Sequence, residues 1–440
     1  MRVLQVIFIA LSFLLKLAEC FQNIAPQHKN AYISSISSIS SISSNLFSTS
    51  SPTEPSTIDD SYFSSAQMPS FPTANSYGGH KRRITLTRFL SQYVKDHPEY
   101  KTLKNIYLAV QMACKTISQL VNRAGLVLDT TSSFTTQDDG SSDFSDGRYY
   151  SMKRLDKLST TVMKNALKFT GTVQMVVPEA KMGSEQPEEH QPGVLIAYDK
   201  HHLACLDPMD GSGNQDAGIC TGTIFGVYDR PEEPLQEDTS SEVDDQHLLE
   251  NILQPARNMR AAGYCIYSSA TVLVLTLGEG VYGFTLDPQI NEFVLTHENV
   301  TIPQRGNVYS CNEANSEGWK NEGWKEYLRN LKLGVGESKT QYAHRYVGSM
   351  VGDIHRTLLY GGIFAYPAST QRTQGNLQLL YKTSPLAFVV DQAGGKAMDE
   401  DGNDLLDKKP ARIHQKSPCF MGSPRDMEEL KNYLQKEPSQ

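Results

Sequence analysis

One run constrains this chain more than any other: Leu206-Asp207-Pro208-Met209-Asp210-Gly211-Ser212. Two carboxylates stand three residues apart around a proline, with a glycine and a serine directly behind them. Hard cations such as Mg²⁺ take oxygen ligands and commonly bridge to phosphates. Asp207, Asp210 and the carbonyl of Met209 between them offer three such oxygens. Backbone N–H groups from Gly211 onward suit an anion, above all where a helix begins. Residues 194–206 before the run and 221–228 after it read as strands. A phosphate-and-metal turn at a strand end is where α/β enzymes do chemistry. Taken alone, the same run also fits an Asp-Pro turn capping a helix.

The rest of the chain alternates helical and strand patterns. Leu103, Ile106, Val110, Cys114, Ile117, Leu120 and Val121 recur at spacings of three and four, so residues 102–124 predict an amphipathic helix stopped by Gly125. Residues 130–147 have no apolar period and predict a loop. Helical spacing resumes over 155–169 at Leu158, Val162, Ala166 and Phe169, and 172–177 reads as strand. Residues 229–250 carry nine carboxylates and one arginine, an insertion expected to be a solvated loop. Two strands are expected within 271–295, a helix over 349–360, a strand over 377–381 and a short helix over 385–394. Mixed patterns of this kind give an α/β or α+β layered fold.

A formal charge of −8 argues against nucleic acid or an anionic membrane surface as the main partner. The seven cysteines include no CxxC pair and no zinc spacing, so buried reduced thiols are expected. The N-terminus reads as an address. An apolar run over residues 3–15 suits a signal peptide ending near Cys20 (residues 1–20), leaving no membrane anchor once removed. Residues 21–80 are Ser-rich, repeat Ser-Ser-Ile over 34–44 and cannot build a core. Together they resemble the bipartite presequence of a secondary plastid, which implies the plastid stroma; the alternative is secretion. Folded sequence is expected from about Lys81.

The run Asp207-Pro208-Met209-Asp210-Gly211-Ser212-Gly213-Asn214 resembles the signature of the Mg²⁺-dependent sugar-phosphatase superfamily. Ala261-Ala262-Gly263-Tyr264, the stretch 278–295 and the stretch 345–364, from Arg345-Tyr346-Val347-Gly348-Ser349 onward, resemble class I fructose-1,6-bisphosphatase. The resemblance implies a five-layer αβαβα sandwich, divided as 81–265 with the metal motif and 266–440 with substrate-binding residues. It also implies a homotetramer acting on a sugar bisphosphate, removing the 1-phosphate of fructose 1,6-bisphosphate in gluconeogenesis or the Calvin cycle. By the same resemblance Glu179, Asp207, Asp210 and the Met209 carbonyl would hold Mg²⁺. Asp156 and Glu179 would serve catalysis, with Asp156 orienting or deprotonating water. Gly211 and Ser212 would meet the leaving phosphate. Asn312, Arg345, Tyr346 and Tyr366 would grip the sugar and its second phosphate.

Several positions depart from that pattern. Ala180 and Lys382 stand where the family has glutamates, and Asn376 and Gln378 where it has lysine and arginine. A loop aspartate has no clear counterpart, with Asp143 or Asp146 the candidates, and Gly213 replaces a serine. Fewer metal ions than the family norm are therefore expected, with the Lys382 ammonium supplying part of the missing charge. Two further readings follow. One is a non-catalytic relative that binds sugar phosphates or joins active paralogues, and the other a phosphatase for a seven-carbon bisphosphate (sedoheptulose-bisphosphatase-like). The insertion carries no cysteine, so thiol regulation through it is not expected, and residues 99–104 lack the AMP-site pattern of the family.

Overall fold

The structure, a computed structural model, describes residues 83–123, 146–179, 194–195, 200–231 and 250–436. The expected signal and Ser-rich segments, Ala180, Asp143, most of the loop at 130–147 and most of the acidic insertion lie outside the described residues. So do the side chains of residues 146–154.

Three helices form an outer layer: α1 (Leu86–Asp96), α2 (Lys101–Asn122) and α3 (Asp146–Lys168). Helix α2 buries Leu103, Ile106, Tyr107, Val110, Cys114 and Ile117, as its apolar spacing predicts. Its Tyr107 hydroxyl donates to the Thr276 carbonyl at 2.6 Å, tying the helix to the sheet beneath. Helix α3 begins at Asp146, inside the stretch expected to be loop. It buries the row Leu155, Ser159, Met163 and Leu167, while Leu158 and Phe169 face outward. The expected stripe ran one position off because both rows carry apolar side chains at helical spacing.

An eight-stranded sheet lies under these helices. Its strands are β1 (Val173–Pro178), β2 (Val194–Leu195), β3 (His202–Asp210), β4 (Thr221–Asp229), β5 (Met259–Tyr267), β6 (Thr271–Thr276), β7 (Tyr282–Asp287) and β8 (Glu292–His297). Their order is β2-β1-β3-β4-β5-β6-β7-β8, with β1 and β3 parallel and the other neighbours antiparallel. Two differences from expectation stand out. The 194–206 run is split between two strands, and 271–295 holds parts of three. Turn residues at 278–280 and around Asp287-Pro288 separate those three, so each short apolar run pairs on its own. The expected division after residue 265 falls within β5, and the sheet runs on to His297.

A second sheet of five strands has the order β10-β9-β11-β15-β13. In chain order this half contributes β9 (Val308–Ser310), α4 (Glu322–Leu333), β10 (Ala343–His344), α5 (Met350–Tyr360), β11 (Ile363–Tyr366) and β12 (Leu377–Gln378). Then come α6 (Ser384–Gln392), β13 (Lys396–Met398), β14 (Lys416–Ser417), β15 (Cys419–Gly422) and α7 (Pro424–Leu434). Among the described residues strand β12 pairs only with β14. Three cores separate the layers. The first joins α1, α2 and α3 to the large sheet. The second packs α5 and α6 between the two sheets. The third packs α4 and α7 on the far face of the small sheet. Helix, sheet, helix, sheet, helix is the layered α/β sandwich that the sequence motifs imply.

Burial on both faces explains why β3 carries no exposed residue. Leu203 and Cys205 enter the middle core, and Ala204 and Leu206 the outer one. All six described cysteines are free, five of them buried. Among the described residues no helix is long and apolar enough to cross a membrane.

Candidate active site

Strand alternation alone would send Asp207 and Asp210 to opposite faces. A bulge prevents this. Asp207 pairs with Ile224 but Asp210 pairs with Gly222, so β3 carries one residue more than β4 across that interval. The extra residue reverses the alternation. Met209 enters the outer core with Leu206, and both carboxylates turn the other way. The Asp207 Oδ1 accepts from the Met209 N–H at 3.0 Å, and the Pro208 carbonyl accepts from the Thr223 hydroxyl at 2.8 Å. Those bonds hold the bulge.

Glu179 arrives from the neighbouring strand. Pro178 is in register with Leu206, and the Glu179 N–H continues the parallel ladder to the Leu206 carbonyl at 2.9 Å. That register sets Glu179 beside Asp207. Asp210 is fixed from the other side. Its Oδ2 accepts from the Ser349 hydroxyl at 3.2 Å and from the Val351 N–H at 3.0 Å. Ser349 is the cap of α5, so the carboxylate sits at a helix N-terminus, where negative charge is favoured. Gly211 lets this happen: its φ is +72° and a Cβ there would lie 2.9 Å from the Ser349 Cβ. After it, residues 212–217 form a short 3₁₀ turn.

Lys382 occupies the middle of this acidic set. Its Nζ lies 2.8 Å from Glu179 Oε1, 3.0 Å from Asp207 Oδ2 and 3.7 Å from Asp210 Oδ1. The lysine comes from a π turn, Leu379–Thr383, where a strand was expected. Only Leu377 and Gln378 pair as strand, because the Leu379-Leu380-Tyr381 run that suggests a strand is buried as a wide helical turn leading into α6. Such turns concentrate at functional sites. Thr383 donates back to the Gln378 carbonyl at 3.0 Å, and Cys205 Sγ donates to the Leu380 carbonyl at 3.2 Å, fixing the turn against β3.

The electrostatics follow from burial. Burial lowers the Lys382 pKa, but Asp207, Glu179 and Asp210 outweigh it and hold the ammonium charged. Burial, then Glu179, pushes Asp207 up to about 8 against the pull of Lys382. Asp156, on α3, is pushed up to about 6, first by burial and then by Asp207, while a hydrogen bond with the Ser212 side chain pulls it down. Asp156 Oδ1 is buried without a hydrogen-bond partner.

The structure thus brings Asp156, Glu179, Asp207, Asp210 and Ser212 to one place. Whether these residues suit a divalent ion is decided by spacing. Among the described residues the one group of three His, Cys or acidic donors within 4.8 Å of each other is Cys311, Glu313 and His344. The carboxylates around Lys382 form no such group. They are spread around an ammonium and do not fit a cation held by three of them. In the trio, both Glu313 oxygens are already taken, by the Tyr309 hydroxyl and by Lys332, each at 2.6 Å.

The residues that the resemblance assigns to the sugar and its second phosphate lie around β9, β11 and the loop before α5. Asn312 caps a short turn, its Oδ1 accepting from the Ala314 N–H at 3.2 Å. Asp353 is fully buried and accepts from the Val347 and Gly348 N–H groups and from Arg356, which fixes the loop bearing Arg345 and Tyr346. Burial first, then Tyr366, raises the Tyr346 pKa, so the two phenols share one environment. Tyr366 accepts from the Asn376 amide at 3.3 Å. Arg345 is exposed and donates to the His344 carbonyl. Three contributors escaped sequence reasoning: Ser349, Asp353 and Lys416. Ser349 was legible as a cap, four residues before Asp353. Lys416 was not, since only the β12–β14 register sets it opposite Gln378.

A layered α/β sandwich with an Asp-Pro-x-Asp-Gly-Ser bulge facing a helix N-terminus defines a sugar-phosphatase type of protein. The family model described as "Fructose-1-6-bisphosphatase, N-terminal domain" matches residues 84–298, and that for the C-terminal domain matches residues 302–435. The chain is 40% identical over 367 residues to the chloroplastic fructose-1,6-bisphosphatase of Brassica napus, covering 82% of this chain and 84% of that one. It is 39% identical over 353 residues to the cytosolic enzyme of Arabidopsis thaliana, covering 79% of this chain and 94% of the relative. The crystal structure of Leishmania major fructose-1,6-bisphosphatase in its holo form superposes with a TM-score of 0.67 at 34% identity, covering 81% of this chain and all of that one. The chain belongs to the fructose-1,6-bisphosphatase family.

Proposed function

We propose that this protein hydrolyses the 1-phosphate of fructose 1,6-bisphosphate, using a site whose positive charge comes in part from Lys382. The observation that carries this reading is the meeting of Asp156 with Ser212 beside the Asp207–Asp210 bulge. Phosphoryl transfer asks a protein mainly for positioning and for charge against the transferring group. Gly211 and Ser212 offer backbone N–H groups to the phosphate, beside the N-terminus of α5. Asp156, with a pKa near neutrality and an unpartnered oxygen, suits the acceptance of a proton from the attacking water. Ser212 stands beside it and favours its ionised form. Asn312, Arg345, Tyr346 and Tyr366 face the sugar and its second phosphate in this reading. The resemblance implied Mg²⁺ held by Glu179, Asp207, Asp210 and Met209; the ammonium among the three carboxylates makes turnover slow in this reading.

A second reading is a non-catalytic relative that binds sugar phosphates or assembles with active copies, and Lys382 is the observation that favours it. The remaining expectations are proposals of the same kind. A homo-oligomer, as the family resemblance implies, would cover exposed apolar side chains such as Phe169, which is 87% exposed. The chloroplastic relatives, with the Ser-rich N-terminal segment, support a plastid location. The test is phosphate release from fructose 1,6-bisphosphate by the purified protein, followed by phosphorus NMR. Saturable release of one phosphate per sugar is expected. Binding of the bisphosphate with no release would overturn hydrolysis in favour of the second reading.

A further inference from the structure

We propose that the Lys382 ammonium is the resident cation of this site and excludes a divalent ion from the position between Glu179, Asp207 and Asp210. Three observations carry the inference. The Nζ is within 3.0 Å of both Glu179 and Asp207 and 3.7 Å from Asp210, so it already occupies the point where those side chains converge. The lysine side chain is 12% exposed and rises from a turn whose Leu379, Leu380 and Tyr381 are fully buried, so its root is fixed facing the carboxylates. No three acidic oxygens of this set lie close enough to each other for one ion to bind all three.

Charge arithmetic points the same way. Three acidic groups share one ammonium, and even with Asp207 protonated up to about pH 8 the set carries no net positive charge to offer a phosphate ester arriving at Gly211. The ammonium is therefore needed where it is. A divalent ion could enter only by expelling it, and an expelled ammonium kept nearby would repel that ion. The arrangement is self-contained: acidic side chains that a metal ion would otherwise have to neutralise are neutralised in part by the chain itself. This concerns the same site as the proposed hydrolysis, so its test uses no substrate and is read apart from phosphate release.

The test is a titration of the purified protein with Mn²⁺, following bound ion by electron paramagnetic resonance and, in parallel, the melting temperature. The quantity that matters is Mn²⁺ uptake abolished by Asp207→Asn. The wild type is expected to show none. Lys382→Glu and Lys382→Gln are expected to gain such uptake, with affinity raised at least about tenfold, and a melting temperature that climbs with added Mn²⁺. Lys382→Arg, which keeps the charge, should behave as the wild type. Stoichiometric uptake by the wild type that Asp207→Asn removes overturns the proposal. So does a folded Lys382→Gln protein that gains no uptake, since the ammonium would then not be what excludes the ion.

Discussion

Arg305 and Lys382 each meet three carboxylates, one in the small-sheet half of the molecule and one at the bulge in the large sheet. Arg305 lies 2.6 Å from Glu429 Oε2, 3.0 Å from Asp426 Oδ1 and 2.6 Å from Glu337 Oε2. Around it the buried oxygens are all taken. Asp426 also accepts from the Gly306 N–H and the Tyr342 hydroxyl, and Glu429 Oε1 accepts from the Glu337 N–H. Around Lys382 they are not. Asp207 Oδ2 has the ammonium at 3.0 Å but no aligned hydrogen bond, and Asp156 Oδ1 has no partner. The arginine fork distributes its donors over fixed acceptors, whereas the lysine is a point charge among groups still open to a ligand. A saturated network holds parts of the fold together. An unsaturated one, at a bulge and a helix N-terminus, leaves polar atoms for a ligand to meet.

The comparison breaks first at Asp156. Asp156→Asn should lower the phosphate-release rate by about 10²–10⁴-fold, the usual contribution of a positioned acid or base. Stability should move the other way, with a defined pH dependence. Burial, then Asp207, sets the folded pKa at about 6, above an ordinary carboxylate. The folded state therefore favours the protonated form. The stability this group contributes is fully present below about pH 4 and is lost as pH rises through about 6. Asparagine does not ionise, so the variant should be more stable than the wild type by about 1–2 kcal/mol at pH 7.5, after allowance for partial exposure, and equal to it near pH 4. Denaturant melts at the two pH values decide the matter. A variant less stable at both would mean that Asp156 supports the fold.

Arg305 should give the opposite pattern. Removing one partner of a buried ion network leaves uncompensated charge and costs about 3–5 kcal/mol. Arg305→Ala should lose that much in denaturant melts, because Asp426 and Glu429 stay buried, and release phosphate at the wild-type rate per folded molecule. A rate loss in a fully folded Arg305→Ala protein would erase the distinction drawn between the two networks.

Much of this was legible in the sequence because it is local. Helix α2 was visible in its three-and-four spacing, α5 as a helix expected over 349–360, and the acidic pair around Pro208 in seven consecutive residues. The convergence of Asp156, Glu179 and the pair came from resemblance, since three separate elements supply them. What stayed hidden depends on register. A two-against-three bulge is what turns Asp207 and Asp210 to one side, and no residue type announces it. The π turn under Lys382 was misread as strand because a short, wholly buried apolar run looks the same in either state. Lysine in place of glutamate was plain in the sequence. That its ammonium reaches both neighbouring strands was a matter of geometry.

The smallest expected effect lies on the sugar side, where Asn376 and Gln378 have lost the cations the resemblance calls for. The β12–β14 ladder sets Lys416 directly across from Gln378, and directly paired residues of antiparallel strands share a face. Lys416, Arg372 and Asn376 line one cavity of about 310 Å³, and Asn376 reaches Tyr366 at 3.3 Å. The partner strand thus carries a cation on the face where Gln378 carries none. Losing one partly exposed cation should raise the KM of Lys416→Ala for the bisphosphate by about 3–10-fold, roughly 1 kcal/mol, with kcat little changed. Adding Gln378→Arg to that variant should restore the KM, because the charge returns to the same face of the same ladder. An unchanged KM in Lys416→Ala would show that the second phosphate is gripped elsewhere, and the Arg345 loop would then carry that role alone.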